Sequence, residues 1–174
     1  QIGKALAKRA SAFELEVIAV DPYVDNSVFD EFGVRSVTFD EMLDSSDYVS
    51  VHCPLTDETR HMFDEQAFDK MKSTAYLINT ARGPIVDEKS LIHALQAGSI
   101  AGAGLDVLED EPIASNSKLL TLENVVVTPH SAYYSDAAIG ELPVRCGQEV
   151  ARVLQGKTPL NLVNPNVLDK LNLS

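Results

Sequence analysis

The sequence has no tryptophan, only two cysteines, and just 6% aromatic residues. An aliphatic core is expected, and Cys53 and Cys146 lie too far apart to match C-x-x-C or metal-ligand spacing. They read as buried thiols of a reducing compartment, which points to a cytoplasmic protein without a metal site. No apolar run approaches the roughly 18 residues that suggest a membrane span. Positive charge is scarce, since 14 Lys and Arg face 26 Asp and Glu for a net charge of -12. Nucleic acids and acidic membranes need a basic footprint, so neither is expected as a partner and a small molecule is favoured. What is present, 45% hydrophobic and 23% charged residues over 174 positions, fits one globular α/β domain.

Strand-like and helix-like stretches alternate. Helical spacing over residues 4–13 is followed by a β-rich run at 16–20, ending at Asp21-Pro22, and by a weak strand at 34–37. Thr38 with Glu41 three residues later forms a capping-box pattern. Strands follow at 48–52, 75–79, 102–108 and 124–127, with helices capped at Asp64 and Asp87 and one stopped by Gly98. A long helix is expected from about Asp136 to Leu154, kinked or delayed by Gly140 and Pro143. From Lys157 the Asn- and Pro-rich tail reads as extended chain. Strands separated by helices imply right-handed crossovers and a doubly wound parallel sheet covered on both faces.

Gln1, Ile2 and Gly3 open a helix directly and match the tail of a G-x-G-x-x-G loop, so the chain is expected to lack that fold's first strand. Asp21 stands 18 residues after Gly3 at a strand end, where a carboxylate accepts hydrogen bonds from ribose hydroxyls. Asp21-Pro22 also reads as a plain turn. No Arg follows Asp21 to neutralise a ribose 2′-phosphate, which favours NAD over NADP. Ligands of open parallel sheets bind beyond the carboxyl ends of the strands. Those ends carry Cys53 and Pro54, then Thr80, Ala81 and Arg82, then Glu109 to Pro112, then Thr128 to His130. An Arg, a Glu and a His thus reach one sheet edge. Guanidinium grips carboxylate, imidazole exchanges protons near neutrality, and a carboxylate beside it favours its charged form, a set suited to reducing a 2-oxo acid. Taken singly, each reads more readily as an ordinary residue, a surface Arg in an ion pair, an acidic loop Glu or a helix-capping His. His61 and His93 have no partners at metal-ligand spacing and read as structural or solvent-facing, and His52 as part of the cleft wall.

The segments H-C-P-L-T (52–56), I-N-T-A-R-G (78–83), V-D-E (86–88), G-L-D-V-L-E-D-E-P (104–112), T-P-H (128–130) and N-L-V-N-P (161–165) together resemble the D-isomer-specific 2-hydroxyacid dehydrogenase family. The resemblance implies a Rossmann-type NAD-binding domain over residues 1–156, with 157–174 leading toward a separate substrate domain. It implies that Arg82, Glu111 and His130 are catalytic. It also places Gln1, Ile2, Asp21, Thr80, Ala81, Asp106, Ser131 and Ala132 around NAD, with Asp106 near the nicotinamide carboxamide, and Gly3, Cys53, Pro54, Arg82 and His130 complete the cofactor-binding candidates. A homodimer acting on a 2-oxo or D-2-hydroxy acid is implied as well, with a fragment of this extent inactive alone.

After T-P-H, however, the run Ser131-Ala132-Tyr133-Tyr134-Ser135 is similar to the C-terminal-binding-protein branch of NAD-sensing corepressors. The rival function is therefore an NAD-controlled scaffold, and a third reading, an NADP-dependent reductase of another family, is weakened by Asp21.

Overall fold

The computed structural model describes residues 1–170. Local signals set the helix ends. Helix α1 (Ile2–Ala12) comes first, and α2 (Asn26–Glu31) is a six-residue helix too short to register as a periodic pattern. In α3 (Phe39–Ser45) Thr38 Oγ1 accepts from Glu41 N at 3.2 Å, while the Glu41 carboxylate turns instead to Arg35, 2.5 Å away. Asp64 caps α4 (Glu65–Lys70) through Ala67 N. Asp87 caps α5 (Glu88–Ala97), and Gly98 stops it in the left-handed region at φ 72°.

Six strands are present among the described residues, and all pair in parallel. They are β1 (Ile18–Ala19), β2 (Arg35–Ser36), β3 (Tyr48–Val51), β4 (Tyr76–Asn79), β5 (Gly102–Leu105) and β6 (Val125–Val127). The hydrogen-bonded groups are β1-β2 and β3-β4-β5-β6, with Asn79 level with Leu105 and Leu105 with Val127. In the doubly wound order 3-2-1-4-5-6, β2-β1 match positions 3-2 and β3-β4-β5 match 4-5-6. The fold is therefore α/β and Rossmann-type, with its strands bonded in two groups rather than one. Strand β5 stops at Leu105, short of the expected 108; Asp106 N still donates to Asn79 O at 2.9 Å, but Leu108 N turns to the side chain of Glu111.

Alternation along β3, β4 and β5 sends Val49, Val51, Leu77, Ala103 and Leu105 into one core with Leu43, Phe68, Ile85, Leu91 and Leu119. Each fully buried side chain of this kind contributes about 1.5–3 kcal/mol. Contrary to the expectation of two covered faces, Tyr48 and Tyr76 on the other face are exposed and stack with ring centroids 5.7 Å apart. Ala7, Phe29 and Val34 form a smaller cluster beside β1 and β2.

The chain divides into two compact units, Gln1–Ala132 and a second beginning at Tyr133, upstream of the boundary expected after residue 156. The second unit contains α6 (Asp136–Leu154), capped by Ser135 through Ala138 N. This helix begins at Asp136 and runs through Pro143 without the delayed start. Its C-terminal half also explains the earlier division. Glu149 accepts from the backbone of Leu160 and Asn161, and Arg152 Nε donates to Thr158 O at 2.8 Å, so the tail folds back on α6 instead of running extended. The last four residues of the expected tail lie outside the described residues. No helix among the described residues is long and apolar enough to cross a membrane.

Candidate active site

The site is assembled from turns that follow β4, β5 and β6. At the end of β4 the Asn79 side chain is 1% exposed, so its amide needs internal partners. It donates to Arg82 O at 2.9 Å and accepts from Ala81 N at 3.0 Å, fixing the turn Thr80-Ala81-Arg82. Arg82 is exposed, with its backbone extended just ahead of the 3-10 turn Gly83–Ile85. After β5, Glu111 Oε1 accepts from Leu108 N at 2.9 Å, and its Oε2 lies 2.8 Å from His130 Nδ1. These two bonds, the one to His130 first, hold the Glu111 carboxyl below its usual range.

After β6, His130 adopts φ 51°, a left-handed conformation that histidine tolerates better than most residues. Its backbone N–H reaches Asp106 O at 2.9 Å and Thr128 O at 3.0 Å. With Nδ1–H donating to Glu111, Nε2 has no hydrogen-bond partner among the described residues and is left open to a ligand. Arg82, Gly83, Pro84, Val107, Leu108, Glu109, Glu111 and His130 line a single open cleft of about 230 Å³. The three expected catalytic side chains are thus brought together.

Asp106 is 5% exposed, and both its oxygens are engaged by the turn that carries His130. Oδ1 accepts from Thr128 Oγ1 at 2.5 Å and Ser131 N at 2.8 Å, and Oδ2 from Ala132 N at 2.8 Å. Burial pushes this carboxyl up, yet the three hydrogen bonds and the nearby His130 outweigh it and the net shift is downward. On this geometry Asp106 shapes the loop from Thr128 to Ala132. Asp106→Asn leaves one oxygen for three donors and turns an N–H group toward them. It should cost about 1–3 kcal/mol. A carboxyl with a depressed pKa contributes stability above its ordinary pKa and loses it as pH falls through the lowered value, so the variant should also lose part of the acid sensitivity of melting. Thermal denaturation of both proteins across acidic pH checks this; superimposable curves would show that the charge is idle.

The remaining dinucleotide candidates stand at the start of α1 and just after β1 and β3. Gln1 precedes α1 without a side-chain cap on its first N–H groups, leaving Ile2 and Gly3 in a helix N-terminus able to face a phosphate. Asp21 follows β1, and its Oδ1 accepts from Tyr23 N at 3.0 Å, so the turn reading is also met. Across from it Cys53 and Pro54 follow β3. Burial, with Asp21's charge adding to it, pushes the half-buried Cys53 thiol up. Tyr23 Oη donates to Glu58 at 2.7 Å, joining the turn after β1 to the loop after β3. His52, at the end of β3, has its ring 3.0 Å from Ser50 Oγ and is pushed down by burial.

Two residues escaped the sequence reading. Asn79 stands in a quoted motif, but only its burial reveals that it holds the Arg82 turn. His61 was read as structural or solvent-facing and is found 2.6 Å from Glu109, a partner 48 positions away that no local spacing could flag.

The family model described as D-isomer specific 2-hydroxyacid dehydrogenase, NAD binding domain, matches residues 1–132, the extent of the first compact unit. The chain belongs to this family, and its first unit is an NAD-binding domain. A glyoxylate reductase of Korarchaeum cryptofilum is 43% identical over 168 residues, 97% of this chain and 51% of that protein. A D-isomer specific 2-hydroxyacid dehydrogenase from Lactobacillus delbrueckii ssp. bulgaricus, solved in its NAD complexed form, matches with TM-score 0.82 and 38% identity over 94% of this chain and 53% of that one. An acyclic imino acid reductase solved with NADPH and D-Arg matches with TM-score 0.84 and 33% identity over 94% of this chain and 51% of its own. The chain spans about half the length of each of these three proteins.

Proposed function

We propose that the protein containing this chain transfers hydride between NAD(H) and a small 2-oxo acid or D-2-hydroxy acid. The observation that carries this is the single cleft in which Arg82 stands with the Glu111–His130 pair. NAD(H), when bound, supplies or accepts the hydride. Arg82 grips the substrate carboxylate and polarises the adjacent carbonyl, as a planar guanidinium does through paired charge-assisted hydrogen bonds. His130 Nε2 gives its proton to the carbonyl oxygen in reduction and takes one from the hydroxyl in oxidation. Glu111 holds the imidazole by Nδ1 and so orients Nε2 toward the substrate. Gln1, Ile2 and Gly3, Asp21, Cys53 and Pro54, Thr80 to Arg82, Asp106, and His130 to Ala132 would hold the dinucleotide. The complete set of three ionisable groups favours turnover over a purely NAD-sensing corepressor. We place the activity in a cytoplasmic homodimer, the dimer on the family resemblance and the location on two cysteines without a disulfide, although Cys53 is half-buried and Cys146 exposed where the sequence suggests buried thiols.

The test is turnover of pyruvate, hydroxypyruvate, glyoxylate and phosphohydroxypyruvate by the full-length protein with NADH; reduction of none of them would sink the proposal. A relative that binds NADPH makes cofactor choice a question of its own. Asp21 and the nearby Glu58 put negative charge where a ribose 2′-phosphate would bring more. Asp21→Ser should weaken NADH binding and narrow its advantage over NADPH, read by fluorescence titration. A wild type that prefers NADPH would refute the assignment.

A further inference from the structure

The proposed chemistry needs Arg82 and Glu111 at a fixed separation, yet they sit on different turns. One residue outside the cleft lining is bonded to both segments. His61 N donates to Pro84 O at 2.9 Å, two residues beyond Arg82, while His61 Nε2 lies 2.6 Å from Glu109 Oε1, two residues before Glu111. The second Glu109 oxygen accepts from Glu88 N at 3.2 Å, at the start of α5. Glu109 is thereby held from two sides. Phe63 continues the link by donating to Ile85 O at 3.2 Å and accepting from Asp87 N at 3.0 Å, so the 61–63 segment runs along the 84–87 segment. His61 itself takes φ 53°, an uncommon backbone conformation that aims its ring at Glu109.

We propose that His61 is a positioning residue, which through Glu109 sets the spacing between the Arg82 turn and the Glu111–His130 pair. This inference rests on the reading above that these three groups act on one substrate. Magnitudes separate positioning from simple stabilisation. The His61 and Glu109 side chains are 39% and 30% exposed, and a pair so exposed adds little to stability. A displacement of about 1 Å at reacting groups, by contrast, costs about 100-fold in rate. The neighbourhood is acidic besides: burial pushes the Glu88 carboxyl up, and the charges of Glu109 and Asp110 add to it. Without the imidazole, Glu109 keeps only the Glu88 N–H as a hydrogen-bond partner beside those groups.

The experiment uses the full-length protein. His61→Asn suits a left-handed backbone but is too short to reach Glu109. It should lower kcat for a turned-over 2-oxo acid by about 10- to 100-fold. NADH affinity should stay within about twofold and the melting temperature within about 4 °C of wild type. Glu109→Ala should show the same loss, the double variant no more than either alone, and Glu109→Gln, which keeps a hydrogen-bond acceptor, should recover most of the rate. Multiplying losses in the double variant overturn the positioning role, as does a loss of NADH affinity and melting temperature in step with activity. A wild type that turns over no 2-oxo acid overturns the functional reading and this inference together.

Discussion

His130→Ala in the full-length protein should lower kcat by about 100- to 10,000-fold, the range that general acid-base help contributes, while NADH affinity stays nearly unchanged. Nδ1 is committed to Glu111 at 2.8 Å and Nε2 is left for the substrate, so removing the ring removes the proton donor and leaves the other residues proposed to hold the dinucleotide in place. The pH dependence separates the roles of the pair. Glu111's proton affinity is lowered by the bonds to His130 and Leu108 N, so its charge is present above that lowered value and lost only as pH falls through it. Reduction should therefore persist as pH falls through the ordinary glutamate value of about 4.3, provided the fold survives. Glu111→Gln keeps a hydrogen-bonding side chain beside His130 Nδ1 but carries no charge at any pH, so the acid limb of kcat/KM should no longer follow the titration of a carboxyl. An acid limb identical to that of wild type would remove Glu111 from its role, and a fully active His130→Ala would overturn the mechanism.

Why these three residues were legible in the sequence, and others were not, follows from the range of the interactions. Thr38, Asp64, Asp87 and Gly98 act within one helical turn, and the structure uses each as a cap or stop, although Glu41 leaves its half of the Thr38 capping box for Arg35. Arg82, Glu111 and His130 were visible because a parallel sheet sends its strand ends to one edge, and each lies next to a Gly or Pro in a short turn. Long-range pairs left no such trace. His61 with Glu109, and Asp106 with Ser131 and Ala132, depend on turns from different strands meeting, which no spacing encodes. The tail was misread for a related reason: Asn and Pro signal a break in regular structure, but not that Glu149 would capture the backbone beyond it.

Gly83→Ala should cost both stability and turnover, although it adds a single methyl group. A Cβ built at Gly83 would overlap the Leu108 carbonyl and approach Glu109 N to 2.6 Å. Both obstacles are backbone atoms, so no rotamer change relieves them. The 3-10 turn after Arg82 and the loop leading to Glu111 would have to part, and these are the two segments whose spacing the proposed chemistry requires. Overpacking a fitted contact costs about 1–3 kcal/mol and occasionally more, and separation by about 1 Å at reacting groups costs about 100-fold. We expect a melting temperature lower by several degrees together with a kcat/KM for the oxo acid reduced by about that factor. Gly140→Ala is the control. It lies inside α6 with nothing within 4 Å of an added Cβ, so it should instead stabilise by about 0.5–1 kcal/mol through helix propensity. Melting curves and steady-state kinetics of the two variants decide the matter: a Gly83→Ala protein that melts and turns over like wild type would show that the close approach to Leu108 is dispensable.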